Sequence, residues 1–339
     1  MKLLRGDDFL KRTGICFLLI IFVILFSGCS ILGKQLLDKK NQALQQVEEI
    51  KELIDEEEFD SAFEKCKPII NSRYISENEW NEIVVKFQDQ SRFEEGLYIL
   101  NSLLLRNKQD DSTLNNLSWA YHMINENESA NLFADKALAI LPNSPYELSN
   151  KANALKGLGK LDEAIQYYDL AIKITPDFSQ AIWGKAMAYN DMEDYAKSLE
   201  FFLKYREIMP DDEESTRYYI TACYLELNQP MDAIREYENF YSQEPTDTSL
   251  LYSIAYVHYN QEDYIKALEY YDKILSVDPE DVWALFNEVD CYARLDRMDE
   301  AIQTLKKAIE LDPEIIYEIY YLDEAEKIRN YKDFKTIFE

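Results

Sequence analysis

The chain has 339 residues, of which 47% are hydrophobic, and it holds only 8 glycines and 9 prolines. This composition supplies ample material for a core and argues against a loop-rich or disordered protein. The net charge of −28 argues against nucleic acid or an anionic membrane surface as a partner of the folded body, because binding to phosphates depends on lysine and arginine.

The N-terminus has the pattern of an export signal. Basic residues precede an apolar run, Ile15–Phe26, which ends in two small residues before Cys29. A membrane-spanning helix needs about 20 apolar residues, so a run of this length fits the core of a signal peptide better. A plain signal anchor, with Cys29 incidental, is the alternative.

The end of this segment, Phe26-Ser27-Gly28-Cys29, resembles the lipobox of bacterial lipoproteins. The resemblance implies that residues 1–28 are a lipoprotein signal peptide and that Cys29 becomes a lipidated N-terminus, with palmitate among its acyl chains. Such chains hold a protein on a membrane because each buried CH₂ group contributes about 0.8 kcal/mol. Ser30, where an Asp would retain the protein in the inner membrane, favours the outer membrane. Residues 29–42 are then expected to form a short polar tether.

Downstream, prolines recur at a nearly constant interval. Successive members of the series are separated by 34, 34, 35, 34 and 34 residues. The series consists of Pro142, Pro176, Pro210, Pro245, Pro279 and Pro313. A fixed period in this range is typical of a solenoid of repeated units. Proline cannot continue a helix and disfavours helix in the residue before it, so each proline is expected to end one repeat.

Small and large residues alternate regularly within these repeats, numbered so that the proline is position 32. Small residues predominate at positions 8 and 20, where they let the two helices of a pair approach closely. These positions hold Ser118, Ala152, Ala186, Thr221, Ala255 and Val289, and Ala130, Ala164, Ser198, Ala233, Ala267 and Ala301. Larger residues predominate at positions 11 and 24 and are expected to fill the space between pairs. They include Tyr121, Leu155, Tyr189, Tyr224, His258 and Tyr292, and Tyr168, Phe202, Tyr237, Tyr271 and Leu305.

This pattern resembles the tetratricopeptide repeat, a helix–turn–helix unit of 34 residues. The resemblance implies an all-α fold, an α-α superhelix of about eight repeats with C-terminal capping helices. Six repeats occupy residues 111–315, and two degenerate repeats without the proline occupy residues 43–110. Residues 316–339 are expected to form the capping helices.

In this family the first helix of each pair lines a concave face through positions 2, 5, 9, 12 and 13. Tryptophan and tyrosine dominate interface hot spots, and amide side chains pair with peptide backbones. We therefore predict a partner-binding groove formed by Asn115, Trp119, Asn153, Trp183, Asn190, Tyr218, Tyr252, Tyr256, Tyr259, Trp283 and Phe286. Burial of some of these rings against neighbouring helices is the alternative.

Other polar candidates point to packing rather than chemistry. The groove positions offer only Lys156 and Arg294 as cations, so a clamp for a C-terminal carboxylate is not expected. His258 occupies a packing position, and His122 has no nucleophile near it in sequence. The cysteines of the repeat region are expected to be buried and unpaired, since helices two repeats apart lie beyond disulfide reach. They are Cys66, Cys223 and Cys291.

Together these features favour a membrane-anchored scaffold for protein–protein interactions in the bacterial cell envelope, on the periplasmic or surface side. The expected partner is a protein or peptide segment, nucleic acid is not expected, and the sequence leaves homo-oligomerisation open. No cofactor, metal site or catalytic residue is predicted, and no polar cluster with perturbed ionisation is expected. A small-ligand-binding or transport-accessory lipoprotein is the alternative function, which would require the groove to close into an apolar pocket.

Overall fold

The computed structural model describes residues 34–334, except 109, 244, 246, 323 and 333. The predicted signal peptide and the predicted lipidation site Cys29 lie outside this range. All regular secondary structure in the described part of the chain is helical. The predicted all-α class, built from successive helical pairs, is confirmed.

The chain divides into two compact units, of which one ends at Gly184 and the other begins at Lys185. In the first unit, residues 34–55 are helical and are labelled α1. The helices that follow are α2 (Phe59–Ile69), α3 (Glu77–Asp89), α4 (Phe93–Arg106), α5 (Asp111–Met123), α6 (Asn127–Ile140), α7 (Pro145–Gly157), α8 (Leu161–Ile174) and α9 (Ser179–Asp191), which crosses the boundary.

The second unit continues the same alternation. Its helices after α9 are α10 (Tyr195–Ile208), α11 (Glu213–Glu226), α12 (Pro230–Gln243), α13 (Thr248–Asn260), α14 (Tyr264–Val277), α15 (Val282–Arg294) and α16 (Met298–Leu311). A 3₁₀ helix, Pro313–Tyr321, and a short helix α17 (Ala325–Asn330) follow.

Two segments differ in detail from the sequence-based assignment. Residues 34–42, which were expected to belong to a tether, are helical and exposed, and they form the start of the described part of α1. The capping segment begins at Pro313 rather than at residue 316, because proline is accepted in the first turn of a helix. Ile315, Ile319 and Ile328 of this segment pack against the last repeat.

The small positions 8 and 20 are the places where paired helices meet. All twelve residues predicted there are at most 1% exposed. Where the small residue is serine, its hydroxyl is satisfied by the facing helix. Ser118 Oγ donates to the Ala130 carbonyl at 2.9 Å in the α5–α6 pair, and Ser198 Oγ donates to the Ala186 carbonyl at 3.1 Å in the α9–α10 pair.

The turn inside each helical pair contains one residue with positive φ. Gly159 (φ 72°) is the only glycine among them. The others are Glu57, Ser91, Asn125, Glu193, Asn228, Glu262 and Asp296, with φ between 56° and 64°. A residue in this left-handed region commonly ends a helix, and a side chain with a Cβ occupies it at a cost of about 1–2 kcal/mol. The turns therefore keep one geometry despite varied sequences.

Within the described residues, no helix is both long enough and apolar enough to cross a membrane.

Candidate functional site

A groove with a volume of about 850 Å³ lies on the first unit. Its walls come mainly from the first helices of successive pairs, α1, α3, α5 and α7. Its lining consists of Lys51, Asn78, Asn81, Glu82, Val85, Lys86, Asp111, Ser112, Asn115, Asn116, Leu141, Ser144, Tyr146 and Glu147. This is the face on which the repeat pattern predicted binding residues, and the predicted residue Asn115 is in the lining.

Local capping fixes where two of the groove helices, α3 and α5, begin. Ser76 and Glu79 form a reciprocal capping box at the start of α3, and Asp110 accepts a hydrogen bond from the Thr113 amide at the start of α5. Each such contact satisfies a backbone N–H that has no partner within the helix. The groove side chains of α3 and α5 therefore project from helices with well-defined first turns.

Asparagine side chains connect adjacent groove helices. Asn116 Nδ2 donates to Asn81 Oδ1 at 3.3 Å, and Asn150 Nδ2 donates to Asn115 Oδ1 at 2.8 Å. Each amide can donate two hydrogen bonds, and the Nδ2 groups of Asn81 and Asn115 make none within the described residues. The row thus places amide donors along the groove.

The lysines of the groove are neutralised by neighbouring carboxylates. Lys51 Nζ lies 3.1 Å from Glu48 Oε1 and also contacts Glu82 Oε2. Lys86 Nζ pairs with Asp55. A partner anion would therefore have to compete with these pairs.

Glu147 is a groove residue that sequence reasoning missed. It occupies position 3 of its repeat, one place from a predicted groove position, yet the side chain is only 5% exposed. Its Oε2 atom is buried without a hydrogen-bond partner in the described structure. The only signal in the sequence is an acidic residue two places after Pro145, in the first turn of α7.

The second unit carries exposed aromatic rings on its first helices. Tyr218 is 68% exposed, Tyr256 61% and Trp283 56%. These three lie on α11, α13 and α15, respectively, and remain accessible as predicted. Aromatic rings this exposed are available to contact a partner.

Three other aromatic residues predicted for the groove are already engaged inside the second unit. Phe286 is 5% exposed and packs in the core around α16, so its assignment to an open groove is wrong. Tyr252 and Tyr259 are half-buried, and their hydroxyls donate to Asp281 at 2.7 Å and to Asp290. Burial, reinforced by these carboxylates, raises the pKa of both phenols far above the usual value. Position in the repeat did not reveal these bonds, because the accepting residues lie 29 and 31 residues further along the chain.

The remaining predicted residues are half-buried. Trp119 packs edge-to-face on Phe93, with ring centroids 5.6 Å apart. Asn153 accepts a hydrogen bond from the Tyr168 hydroxyl at 2.5 Å, so it serves the core contact. Trp183 lies in the first unit and Asn190 in the second, each partly exposed.

Buried acids on α15 include a group with perturbed ionisation. Glu288 is 4% exposed. Burial, together with the charge of Asp272, raises the pKa of Glu288 to about 8. Asp290, also buried, accepts from Tyr259 and lies 3.7 Å from Arg294 Nε. Nothing in the sequence shows that these acids are buried, because their burial depends on the packing of α14 and α16 around them.

The packing assignments of the histidines and cysteines agree with the structure. His258 is 5% exposed, and burial lowers its pKa. His122 is half-buried, with Nδ1 2.8 Å from Asn127 Oδ1. The cysteines Cys66, Cys223 and Cys291 are free and buried.

A chain of helix–turn–helix pairs with a fixed period and small residues at each helix contact is a helical repeat protein. Tetratricopeptide repeat family models match residues 145–178, 224–281 and 258–318. These segments of the chain are therefore tetratricopeptide repeats. No curated protein sequence matches the chain.

Several solved structures are similar to this chain. One is YrrB, described as a TPR protein with an unusual peptide-binding site, with 21% identity over 56% of this chain and 96% of that chain and a TM-score of 0.41. Another is a tetratricopeptide repeat protein from Parabacteroides merdae, with 16% identity over 77% and 98% and a TM-score of 0.44. A third is Naa15/Naa10 bound to HypK-THB, with 17% identity over 74% and 39% and a TM-score of 0.48.

Proposed function

We propose that this protein is a scaffold for protein–protein interactions, and that it holds an extended segment of a partner protein against the first helices of its repeats. The observation that carries the proposal is the groove of the first unit, which combines apolar side chains with a row of amides. Apolar contacts supply affinity, and amide donors suit the carbonyl groups of an extended backbone.

The exposure of the apolar lining favours an extended segment over a small ligand. Val85 is 44% exposed, Leu141 41% and Tyr146 56%. Small-molecule sites usually bury 70–90% or more of their ligand, which requires walls that enclose it. Side chains this exposed suit a chain lying along the surface.

We further propose that the scaffold is anchored to a membrane of the bacterial cell envelope through a lipid on Cys29. Support comes from the export-signal pattern and the lipobox-like sequence that ends at Cys29. The anchor is tested by Cys29→Ala in the native host. The variant should move from the membrane fraction to the soluble fraction, and its continued tight association with membranes would contradict lipidation.

Partner binding is tested by site-specific photo-crosslinking in cells. A photoreactive residue at Val85 should trap a defined partner, whereas the same residue at Glu163, an exposed position of α8 outside the groove lining, should not. Adding Tyr146→Ala should weaken trapping at Val85, since that ring is part of the same lining. Equal trapping at both positions, or trapping unaffected by Tyr146→Ala, would show that the groove is not the binding surface.

A further inference from the structure

The unneutralised charges in the groove of the first unit are negative. Its lysines, Lys51 and Lys86, are each bonded to carboxylates, as described above. Asp111 and Glu147 also line the groove, and neither forms an ion pair within the described residues. An occupant that carries positive charge would therefore meet attraction without displacing an existing partner.

Glu147 lacks the internal partners that such a residue usually finds. Lys151 lies one turn further along α7, at the spacing that favours a helix salt bridge, but it pairs with Asp135 instead. A glutamate at this place in a helix often bonds to the backbone N–H of the capping residue, yet Oε2 makes no hydrogen bond. The positive end of the helix dipole contributes only about 0.3–1 kcal/mol toward such a charge.

A buried carboxylate oxygen without a partner is costly, because burial removes water without replacing its hydrogen bonds. The cost is relieved when a ligand supplies the missing donor. A metal ion does not suit this place, since no group of three His, Cys, Asp or Glu side chains that could hold one occurs in the described part of the chain. An ammonium or guanidinium group on a peptide fits, because the asparagine amides beside it are suited to the peptide backbone.

We propose that Glu147 is a recognition residue of this groove, which selects a partner segment that presents a lysine or arginine side chain to its carboxylate. The inference rests on the proposed function, namely that a partner segment lies in the groove. The inference adds that the segment carries a cationic side chain, and that Glu147 is the residue that recognises it.

The test uses an immobilised array of short random-sequence peptides, probed with the full chain and with its Tyr146→Ala and Glu147→Gln variants. Peptides bound through the groove are those whose signal falls with Tyr146→Ala. These peptides should be enriched in lysine or arginine, and Glu147→Gln should remove the enrichment. Glu163→Gln, which removes an exposed carboxylate outside the groove lining, should leave the enrichment unchanged.

A captured peptide then allows a double-mutant cycle by fluorescence polarisation. Glu147→Gln should weaken binding of the lysine-containing peptide about tenfold or more, and should barely affect the same peptide with norleucine at that lysine. Binding of the lysine peptide to the unmodified protein should also weaken with added salt more than that of the norleucine peptide, an arm that does not depend on folding of the variant.

Two outcomes overturn the inference in distinguishable ways. If groove peptides are captured without basic enrichment, or if Glu147→Gln leaves their affinity unchanged, the cation-selecting role of Glu147 is wrong while the scaffold proposal stands. If no captured peptide is sensitive to Tyr146→Ala, the groove does not bind peptides, and both proposals fail.

Discussion

Gly184 on α9 is a position where one added methyl group should directly disturb the core. A Cβ atom there would lie 2.5 Å from Cε1 and Cζ of Tyr168 and 2.6 Å from its hydroxyl oxygen. Tyr168 has little room to move, because it is fully buried and donates to Asn153 Oδ1 at 2.5 Å. We therefore predict that Gly184→Ala destabilises the protein.

The magnitude follows from two opposing effects. Replacing glycine by alanine inside a helix is intrinsically favourable by about 1 kcal/mol. Overpacking a well-filled core costs about 1–3 kcal/mol. Gly96 on α4 is the matched control, since the nearest atom to its added Cβ is Gln88 Cγ at an ordinary 3.4 Å. Gly96→Ala should be neutral or slightly stabilising, so the two variants should differ by about 2 kcal/mol.

Urea unfolding, followed by circular dichroism and by tryptophan fluorescence, measures this difference. Agreement of the two probes is required first, because a chain of two compact units need not unfold in one step. A second arm places Gly184→Ala in a Tyr168→Leu background, where the penalty should shrink because the ring is absent. If Gly184→Ala proves at least as stable as Gly96→Ala, the steric reasoning is refuted.

Three further predictions concern stability. Because the pKa of Glu288 in the folded protein is raised from 4.5 to about 8, its contribution to stability declines as pH rises from about 5 to about 8. Between these pH values the free energy of unfolding, measured by urea titration, should fall by at least about 1.4 kcal/mol more in the native protein than in Glu288→Gln, which is the equivalent of one pKa unit. Equal falls in the two proteins would contradict this prediction. Ser118→Ala and Ser198→Ala should each lower the free energy of unfolding by about 1 kcal/mol, because each removes a buried hydrogen bond to a carbonyl of the facing helix. A rise in stability in both variants would argue against these bonds. Glu262→Gly should raise the melting temperature, since glycine occupies a φ of 60° without the cost of a Cβ, and a lower melting temperature would show that the turn is not strained.

The repeat contacts were predictable because they recur with the period of the sequence. Ala267 and Ala301 occupy equivalent places in successive repeats, and both are fully buried against the partner helix of their own pair. A contact made within one repeat depends only on residues a short distance apart in the chain. Periodicity therefore identified the small positions, and the resemblance to the tetratricopeptide repeat implied the pairing of helices.

The groove was less predictable because its side chains depend on residues of a neighbouring helical pair. Tyr252 and Tyr259 share the pattern of exposed groove residues, but their hydroxyls meet Asp281 and Asp290, which are 29 and 31 residues further along the chain. Neither acceptor is required by the repeat, so the pattern gave no indication of the bond. Glu147 was missed for the same reason, since its burial depends on how α5 and the segment around Leu141 pack beside it.

The two serine contacts described for the fold reveal a symmetry within the helical pair. In one pair position 8 donates to the carbonyl of position 20, and in the other position 20 donates to the carbonyl of position 8. Each helix thus meets its partner in the same way, so an approximate local two-fold axis passes between the two positions. The polar contact belongs to the pair rather than to either helix. A hydroxyl that Ser118→Ala removes from one helix can therefore be restored from the other by Ala130→Ser.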